Sequence, residues 1–375
     1  MEEKAAVAGV KEREKMEEQW RLYEAFNELH GLAQEFSTPF EAPAILVVGH
    51  QTDGKSALVE ALMGFQFNHV GGGTKTRRPI TLHMKYNPDC ESPLCFLVNH
   101  SDSTVVDQKS LEAIQAFIEA ENMRLESEPC QFSSKEIIIK VEYKYCPNLT
   151  IIDTPGLIAP APARKIHSLQ AQAAAVESLV RAKMQHKEYI ILCLEDCSDW
   201  SIATTRRVVD SELSRTVIVS TKLDTKIPQF ARASDVEVFL SPPACTLDGF
   251  ILGDSPFFTS VPSGRAISLR EVEDISCLEE KLGRTLSKQE RSRIGISSLR
   301  LFLEELLQKR YINSVPLIIP LLEKEHRNAT RHLNEIDEEF RLAINTRLVI
   351  SCALNSDLRK FIYWKSGVVV PSIGV

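Results

Sequence analysis

The chain has 375 residues, 43% of them hydrophobic and 25% charged, with a formal net charge of −7. That length and balance suit one large globular domain or two smaller ones around a proper core. The acidic excess excludes bulk electrostatic attraction to nucleic acid or to an anionic lipid surface, leaving only local basic patches. No apolar run approaches a membrane span, since "SVPLIIPLL" around residue 318 is short and holds two prolines. The start, "MEEKAAVAGVKEREKMEE", has neither the apolar centre of a secretory signal nor the acid-poor character of a transit peptide. Nine cysteines form an odd set at irregular spacings. Cys90 with Cys95, or Cys193 with Cys197, can be read as metal pairs. No histidine-rich cluster completes a site, so reduced, mostly buried thiols in a cytoplasmic protein are expected.

In chain order, residues 1–17 are expected to be disordered and 18–40 to hold a helix, with positions 22, 26, 29, 33 and 36 on one apolar face. "STPFEAP" ends it with two prolines. From Ala44 onward the runs "AILVV", "ITLHMKY", "EIIIKVEYKY", "LTIID", "YIILCL" and "TVIVST" alternate with helical stretches at 56–63, 109–127 and 167–186. Such alternation predicts an α/β fold with a doubly wound, mainly parallel sheet, here assigned to 41–296. After "SRIGIS", Leu299, Phe302, Leu303, Leu306 and Leu307 predict an amphipathic helix, which Pro316 and Pro320 are expected to interrupt.

Directly after the first apolar run comes "GHQTDGKS", a G-x-x-x-x-G-K-S match between a strand and a helix. Gly49 and Gly54 let backbone amides curl around phosphates, and the helix that follows directs its positive end at them. The whole loop from Gly49 through His50, Asp53 and Gly54 to Ala57 is read as nucleotide-binding. Lys55 would reach the β- and γ-phosphates and Ser56 would ligate Mg²⁺. Further on, "LTIIDTPGL" ends a strand in Asp153, which can hold a Mg²⁺-bound water, and Gly156, whose amide can sense a γ-phosphate. "VIVSTKLD" then puts Thr221, Lys222 and Asp224 at another strand end. An aspartate there accepts from the ring N–H and the exocyclic amine of guanine while the lysine lies over the ring. Adenine would leave that carboxylate unpaired, so the three motifs together predict GTP.

Between the first two motifs, "HVGGGTKTRRPITL" reads as a mobile loop able to close on a nucleotide, with Thr74 or Thr76 supplying a second hydroxyl to Mg²⁺. The residue after Gly156 is Leu157, where small signalling GTPases carry the glutamine that orients the attacking water. Gln51 is the available substitute.

The run "GHQTDGKSALVEALMGFQFNHVGGGTKTRRPITLHMKY", with "DTPGL" and "TKLD", resembles the GTPase domain of the dynamin superfamily. "TPFEAPAILVVG", "CPNLTIIDTPGLIAPAP" and "RAKMQHKEYIILCLED" are similar to its plant branch of chloroplast division. The resemblance covers roughly residues 18 to 335. It implies that Gln51 orients the catalytic water and that Thr52 helps bind a monovalent cation, K⁺ or Na⁺, with the carbonyls of Gly71 and Gly73. It also selects Thr76 over Thr74 as the switch threonine on Mg²⁺. Ser263 or Arg265 would fall in the last guanine-contacting loop. The helices at 18–40 and 297–340 resemble parts of a bundle and the start of a stalk. Further implications are homodimerisation through GTPase domains and a cytoplasmic protein recruited to the chloroplast outer envelope by division receptors. Microtubule association and a peroxisomal role are implied as well. No nucleic-acid partner is expected.

Departures from the family pattern are part of this reading. Asp53 brings a charge where most dynamins have a small residue, so its side chain is expected to point away from the nucleotide. The chain is shorter than the branch pattern between Arg207 and Glu212 and after "SVPSGR". From about Arg341 it no longer resembles the family and reads as altered splicing or a shifted frame, with only indirect membrane contact expected. The alternative to a fission GTPase is a non-assembling GTP-binding module that modulates the full-length dynamin-related protein. A P-loop kinase or ATPase is disfavoured by "TKLD".

Overall fold

A computed structural model describes residues 20–29, 42–65, 76–98, 106–128, 131–158, 167–198, 205–241, 255–261 and 267–366. These fall into two compact units, one ending at Val315 and one running from Pro316 onward. The first unit holds strands β1 (Ile45–Val48), β2 (Ile80–Tyr86), β3 (Leu94–Val98), β4 (Val106–Lys109), β5 (Ile137–Tyr143), β6 (Leu149–Asp153), β7 (Ile190–Asp196), β8 (Thr216–Thr221) and β9 (Phe257–Phe258). Its helices are α1 (20–29), α2 (Lys55–Met63), α3 (Leu111–Glu126), α4 (His167–Met184), α5 (Thr205–Val209), α6 (Leu223–Lys226), α7 (Ala233–Leu240), α8 (Ile267–Leu282) and α9 (Lys288–Arg291). The last helix, α10 (Ile296–Ser366), begins in the first unit and supplies the described part of the second.

The strands form one nine-stranded sheet in the order β4-β3-β5-β2-β6-β1-β7-β8-β9. At its centre β6, β1, β7 and β8 are parallel, β9 extends them in the same sense, and β2 enters antiparallel to β6. All four residues of β1 are shielded from solvent, as a strand covered on both faces requires. β5, nearer one edge, alternates instead, with Ile137, Ile139 and Val141 buried and the residues between them half-buried. On one face Leu46, Val48, Ile152 and Ile191 pack with Val176 and Val180 of α4. A second core gathers Leu223, Phe230, Val236, Phe239 and Phe258 with Leu278 and Leu282 of α8.

The sheet is mainly parallel, as the alternation implied, and β2, β6 and β8 coincide with "ITLHMKY", "LTIID" and "TVIVST". Strands β3, β4 and β9 were not foreseen. β4 is "VDQK", with no apolar alternation to announce it, and β9 is only Phe257–Phe258. The stripe expected on α1 is also rotated. Tyr23 and Phe26 are buried while Leu22 and Leu29 are half-buried, and positions 33 and 36 lie outside the described residues. The rotation follows from the Tyr23 hydroxyl, which donates to the Met84 carbonyl of β2 at 2.7 Å. Phe26 stacks on Tyr311 of α10 with ring centroids 4.6 Å apart, behind the buried row Leu299, Leu303 and Leu307.

Pro316 and Pro320 do not interrupt the last helix, which includes both. Each is exposed, so a carbonyl deprived of its amide partner can turn to water.

One buried cation fastens the sheet to its flank. Arg215, at the entry to β8, donates to the carbonyls of Met184, His186 and Tyr189 and pairs with Glu212. Arg215→Met should therefore lower unfolding free energy by roughly 2–4 kcal/mol, because three buried acceptors lose a charged donor. A denaturant titration checks this; a loss below about 0.5 kcal/mol, the level of an ordinary surface change, would show that the contacts carry little.

Candidate nucleotide-binding site

Strand β1 ends at Val48 and the loop Gly49–Gly54 leads into α2. Gly54 takes the left-handed conformation at φ 81°, which a glycine adopts without strain, and serves as the helix N-cap. The first amides of α2 have no acceptor within the helix, and no acidic residue occupies its first turn. An anion is therefore favoured there. Gly49 is held close to β7, since an added Cβ would lie 3.2 Å from the Leu194 Cβ. The buried Lys55 ammonium donates to the carbonyls of Gly49 at 3.1 Å and His50 at 2.8 Å, bridging the loop on itself. Burial holds its pKa below the ordinary lysine value, with Asp153 and Asp53 opposing.

Asp53 is buried and turned inward. Its Oδ2 accepts the His50 amide at 2.8 Å and the Thr205 hydroxyl at 3.4 Å. The side chain thus braces the back of the loop, and Thr205, which sequence reasoning did not single out, helps hold it.

The D-x-x-G stretch runs alongside. The Leu157 amide donates to the Gly49 carbonyl at 2.9 Å and the Gln51 amide to the Leu157 carbonyl at 3.3 Å. Thr154, fully buried, donates its hydroxyl to the Val47 carbonyl at 2.6 Å. Gly156 lies so close to Gln51 that a Cβ would stand 2.8 Å from the Gln51 Cα. Only a glycine admits that approach. Gln51 and Thr52 are exposed at the mouth of the loop, and Ser56 is half-buried behind it.

On the other side of the loop, Thr221 donates its hydroxyl to the Asp53 carbonyl at 2.9 Å. Lys222 follows in the left-handed region at φ 58°, and Asp224 is half-buried with its amide held by the Ser260 hydroxyl at 3.0 Å. Residues separated by about a hundred positions or more thus meet along one edge of the sheet.

A family model described as "Dynamin family" matches residues 45–223. Dynamin-like protein ARC5 of Arabidopsis thaliana is 72% identical over 346 residues, which cover 87% of this chain and 44% of that protein. Dynamin-related protein 5A of the same plant is 32% identical over 84% of this chain and 40% of its own length. Dynamin-like protein C of Dictyostelium discoideum is 26% identical over 80% and 38% respectively. The chain belongs to the dynamin family. Its sheet is that of a dynamin-type GTPase domain, and the chain spans less than half the length of these relatives.

Within this dynamin domain the residues fit a divalent cation. Asp153 is buried at the end of β6, and its Oδ1 has no hydrogen-bond partner. Burial raises its pKa to about 6, with Lys55 lowering it and Glu60 raising it. A narrow cleft between α2 and the sheet is lined by Ser56, Glu60 and Asp153 with Val59, Met63, Ile80 and Leu82. The hydroxyl and two carboxyl groups of that lining, one with a partnerless oxygen, are hard oxygen donors of the kind Mg²⁺ takes. Thr76 is buried just before β2. Gly71, Gly73, Thr74, Ser263 and Arg265 lie outside the described residues.

Two arginines read as part of a mobile loop are anchors instead. Arg77 donates to Gln131 and Glu126, and Arg78 to the Lys135 and Glu136 carbonyls and Glu121. Burial against acids of α3 explains the difference, and it fixes the chain from Thr76 onward. Other groups had gone unnoticed. Glu195, at the end of β7, is buried with Oε2 on Arg206 at 2.7 Å and Oε1 partnerless, and burial raises its pKa. The signal for it was the acidic pair closing "CLED", polar residues on an otherwise apolar strand.

A buried carboxyl whose folded pKa is raised binds its proton more tightly in the folded state. The stability it allows is fully present below the ordinary value of 3.8 and is lost as pH rises through about 6. Asp153→Asn should therefore melt higher than the parent at pH 7.5 in the absence of nucleotide and Mg²⁺, by roughly 1–3 kcal/mol in stability. The advantage should shrink below pH 6 and vanish near pH 4. Melting curves from pH 4 to 8 test it; an advantage independent of pH would reject Asp153 as the origin.

Proposed function

We propose that this chain is a GTPase of the dynamin type that binds GTP with Mg²⁺ and hydrolyses it, and that it serves division of the plastid outer membrane. The observation that supports this most directly is the hydrogen bonding of the Gly49–Gly54 loop to both neighbours. Leu157 holds it on the D-x-x-G side and Thr221 on the base side. A nucleotide lying along this edge would meet a phosphate loop, a γ-phosphate sensor and a base reader at once.

In this reading Ser56, Thr76 and Asp153 hold Mg²⁺, which when bound neutralises charge on the phosphates. Lys55 exchanges the Gly49 and His50 carbonyls for the β- and γ-phosphates, a short movement for an ammonium already inside the loop. The Gly156 amide contacts the γ-phosphate. Gln51, exposed at the mouth and packed against Gly156, orients the attacking water in place of the glutamine that Leu157 replaces. Thr52, Gly71 and Gly73 hold a monovalent cation, and two GTPase domains meet across the nucleotide. Asp224 accepts from guanine, with Lys222 over the ring and Ser263 nearby.

The resemblance to the chloroplast-division branch and the 72% identity to the Arabidopsis dynamin-like protein support recruitment to the cytosolic face of the chloroplast envelope.

The test is GTP turnover per molecule against protein concentration, in K⁺ and in Na⁺, with Gln51→Ala as control. Turnover should climb with concentration and fall about a hundredfold or more in the variant, with GTP binding retained. Flat turnover that the substitution leaves unchanged, with GTP still bound, would identify a GTP-binding module that does not self-stimulate. Absence of GTP binding would reject the reading of the site.

A further inference from the structure

The TKLD stretch holds a conformation that its own sequence does not explain. Lys222 is the single non-glycine residue at positive φ among the described residues, at φ 58° and ψ 38°. The left-handed region costs an L residue free energy, so something must hold it there. Part of the hold is on the backbone. The Lys222 carbonyl accepts the Thr225 amide at 3.1 Å, the Thr225 hydroxyl at 2.8 Å and the Lys226 amide at 3.3 Å. The rest is on the side chain, whose ammonium is ion-paired with Asp196.

Asp196 closes β7 and stands opposite Thr221 in the β7–β8 register, one residue before Lys222. Its carboxylate also accepts the Ser198 amide at 2.9 Å and the Ser198 hydroxyl at 2.5 Å, so its orientation is fixed before the lysine reaches it. Just beyond, the Cys197 amide and thiol both donate to the Thr221 carbonyl, at 3.1 and 2.8 Å, tying the two strand ends together. Burial pushes the Asp196 carboxyl up, but the Lys222 and Ser198 hydrogen bonds outweigh it and keep the group below its ordinary value. Meanwhile the Asp224 carboxylate enters no hydrogen bond or ion pair among the described residues.

Lys222 is two residues from Asp224, and an untethered ammonium beside a half-buried carboxylate would fold onto it. We infer that Asp196 is a positioning residue for base recognition: it draws the Lys222 ammonium across to β7, laying the stem along the base slot and leaving the Asp224 carboxylate open to guanine. The inference rests on the reading of this edge as a guanine-nucleotide site. It adds a residue outside the three motifs, set on a different strand, whose substitution should act on discrimination rather than on turnover.

The experiment is calorimetric titration of the full chain with GDP, with IDP, which lacks the exocyclic amine, and with ADP. The proteins are the unsubstituted chain, Asp196→Asn, Lys222→Met and the double variant. Asp196→Asn should weaken GDP about tenfold and narrow the ratio of GDP to IDP affinity, since Asp224 is then masked by Lys222. In the Lys222→Met background, where no ammonium needs holding, the same substitution should add nothing to GDP binding. The ratio is read per folded molecule, so partial loss of folding does not move it. An unchanged ratio in Asp196→Asn, or effects that multiply in the double variant, would overturn the inference. If the unsubstituted chain does not prefer GDP to ADP, the reading of the site fails instead, and that appears before any variant is measured.

Discussion

The arrangement depends on the carbonyls and amides of one short loop being bonded on both sides at once. Gly49 gives its carbonyl to Leu157 and to Lys55, while Asp53 gives its carbonyl to Thr221 and its carboxylate to the His50 amide. Each bond is worth only about 1 kcal/mol net, but a buried loop that left these groups unpaired would lose several. These bonds therefore hold the loop in this conformation, in which the first amides of α2 have no acceptor within the helix. Parallel pairing of β6, β1, β7 and β8 makes this possible, because it brings the ends of all four strands to the same edge.

The electrostatics of that edge run against stability. Asp153 and Glu195 each bury an oxygen without a partner, and Lys55 is buried with its pKa pushed down. A core built only for stability would replace such groups with apolar ones. Their retention is what the proposed function would require, since phosphates and a cation would supply the partners these groups lack. Asp153 and Lys55 oppose each other's burial, the carboxyl raised by burial and partly relieved by the ammonium, and the ammonium lowered by burial and partly relieved by the carboxylate.

Much of this was legible in residue order. The glycines of the loop, the aspartate closing β6 and the lysine and aspartate after β8 stand at fixed offsets from apolar runs, and the sheet brings them together. What stayed hidden has physical causes. β4 and β9 are too short or too polar to show a period, and α1 turned by one position because a buried tyrosine hydroxyl found the Met84 carbonyl. Arg77 and Arg78 look like loop charges in a string of letters, and only tertiary packing reveals the glutamates of α3 that bury them. Thr205 and Asp196 escaped for a related reason: their contacts are side chain to side chain across separate elements, and no spacing rule announces those.

The acids around this loop share a geometry. Asp53 turns its carboxylate onto an amide of its own loop, Glu195 turns toward Arg206, and Asp196 turns toward Ser198 and Lys222. Three acids near an anion site would repel phosphate if they faced it, at a few kcal/mol each in a weakly screened setting. Turned inward, each is spent on a donor that fixes a neighbour: the His50 amide, the Arg206 guanidinium, the Lys222 ammonium. The edge thereby gains rigidity from groups that would otherwise oppose its ligand. On the proposed reading of the loop, this is why a charged residue at position 53 need not oppose a bound phosphate.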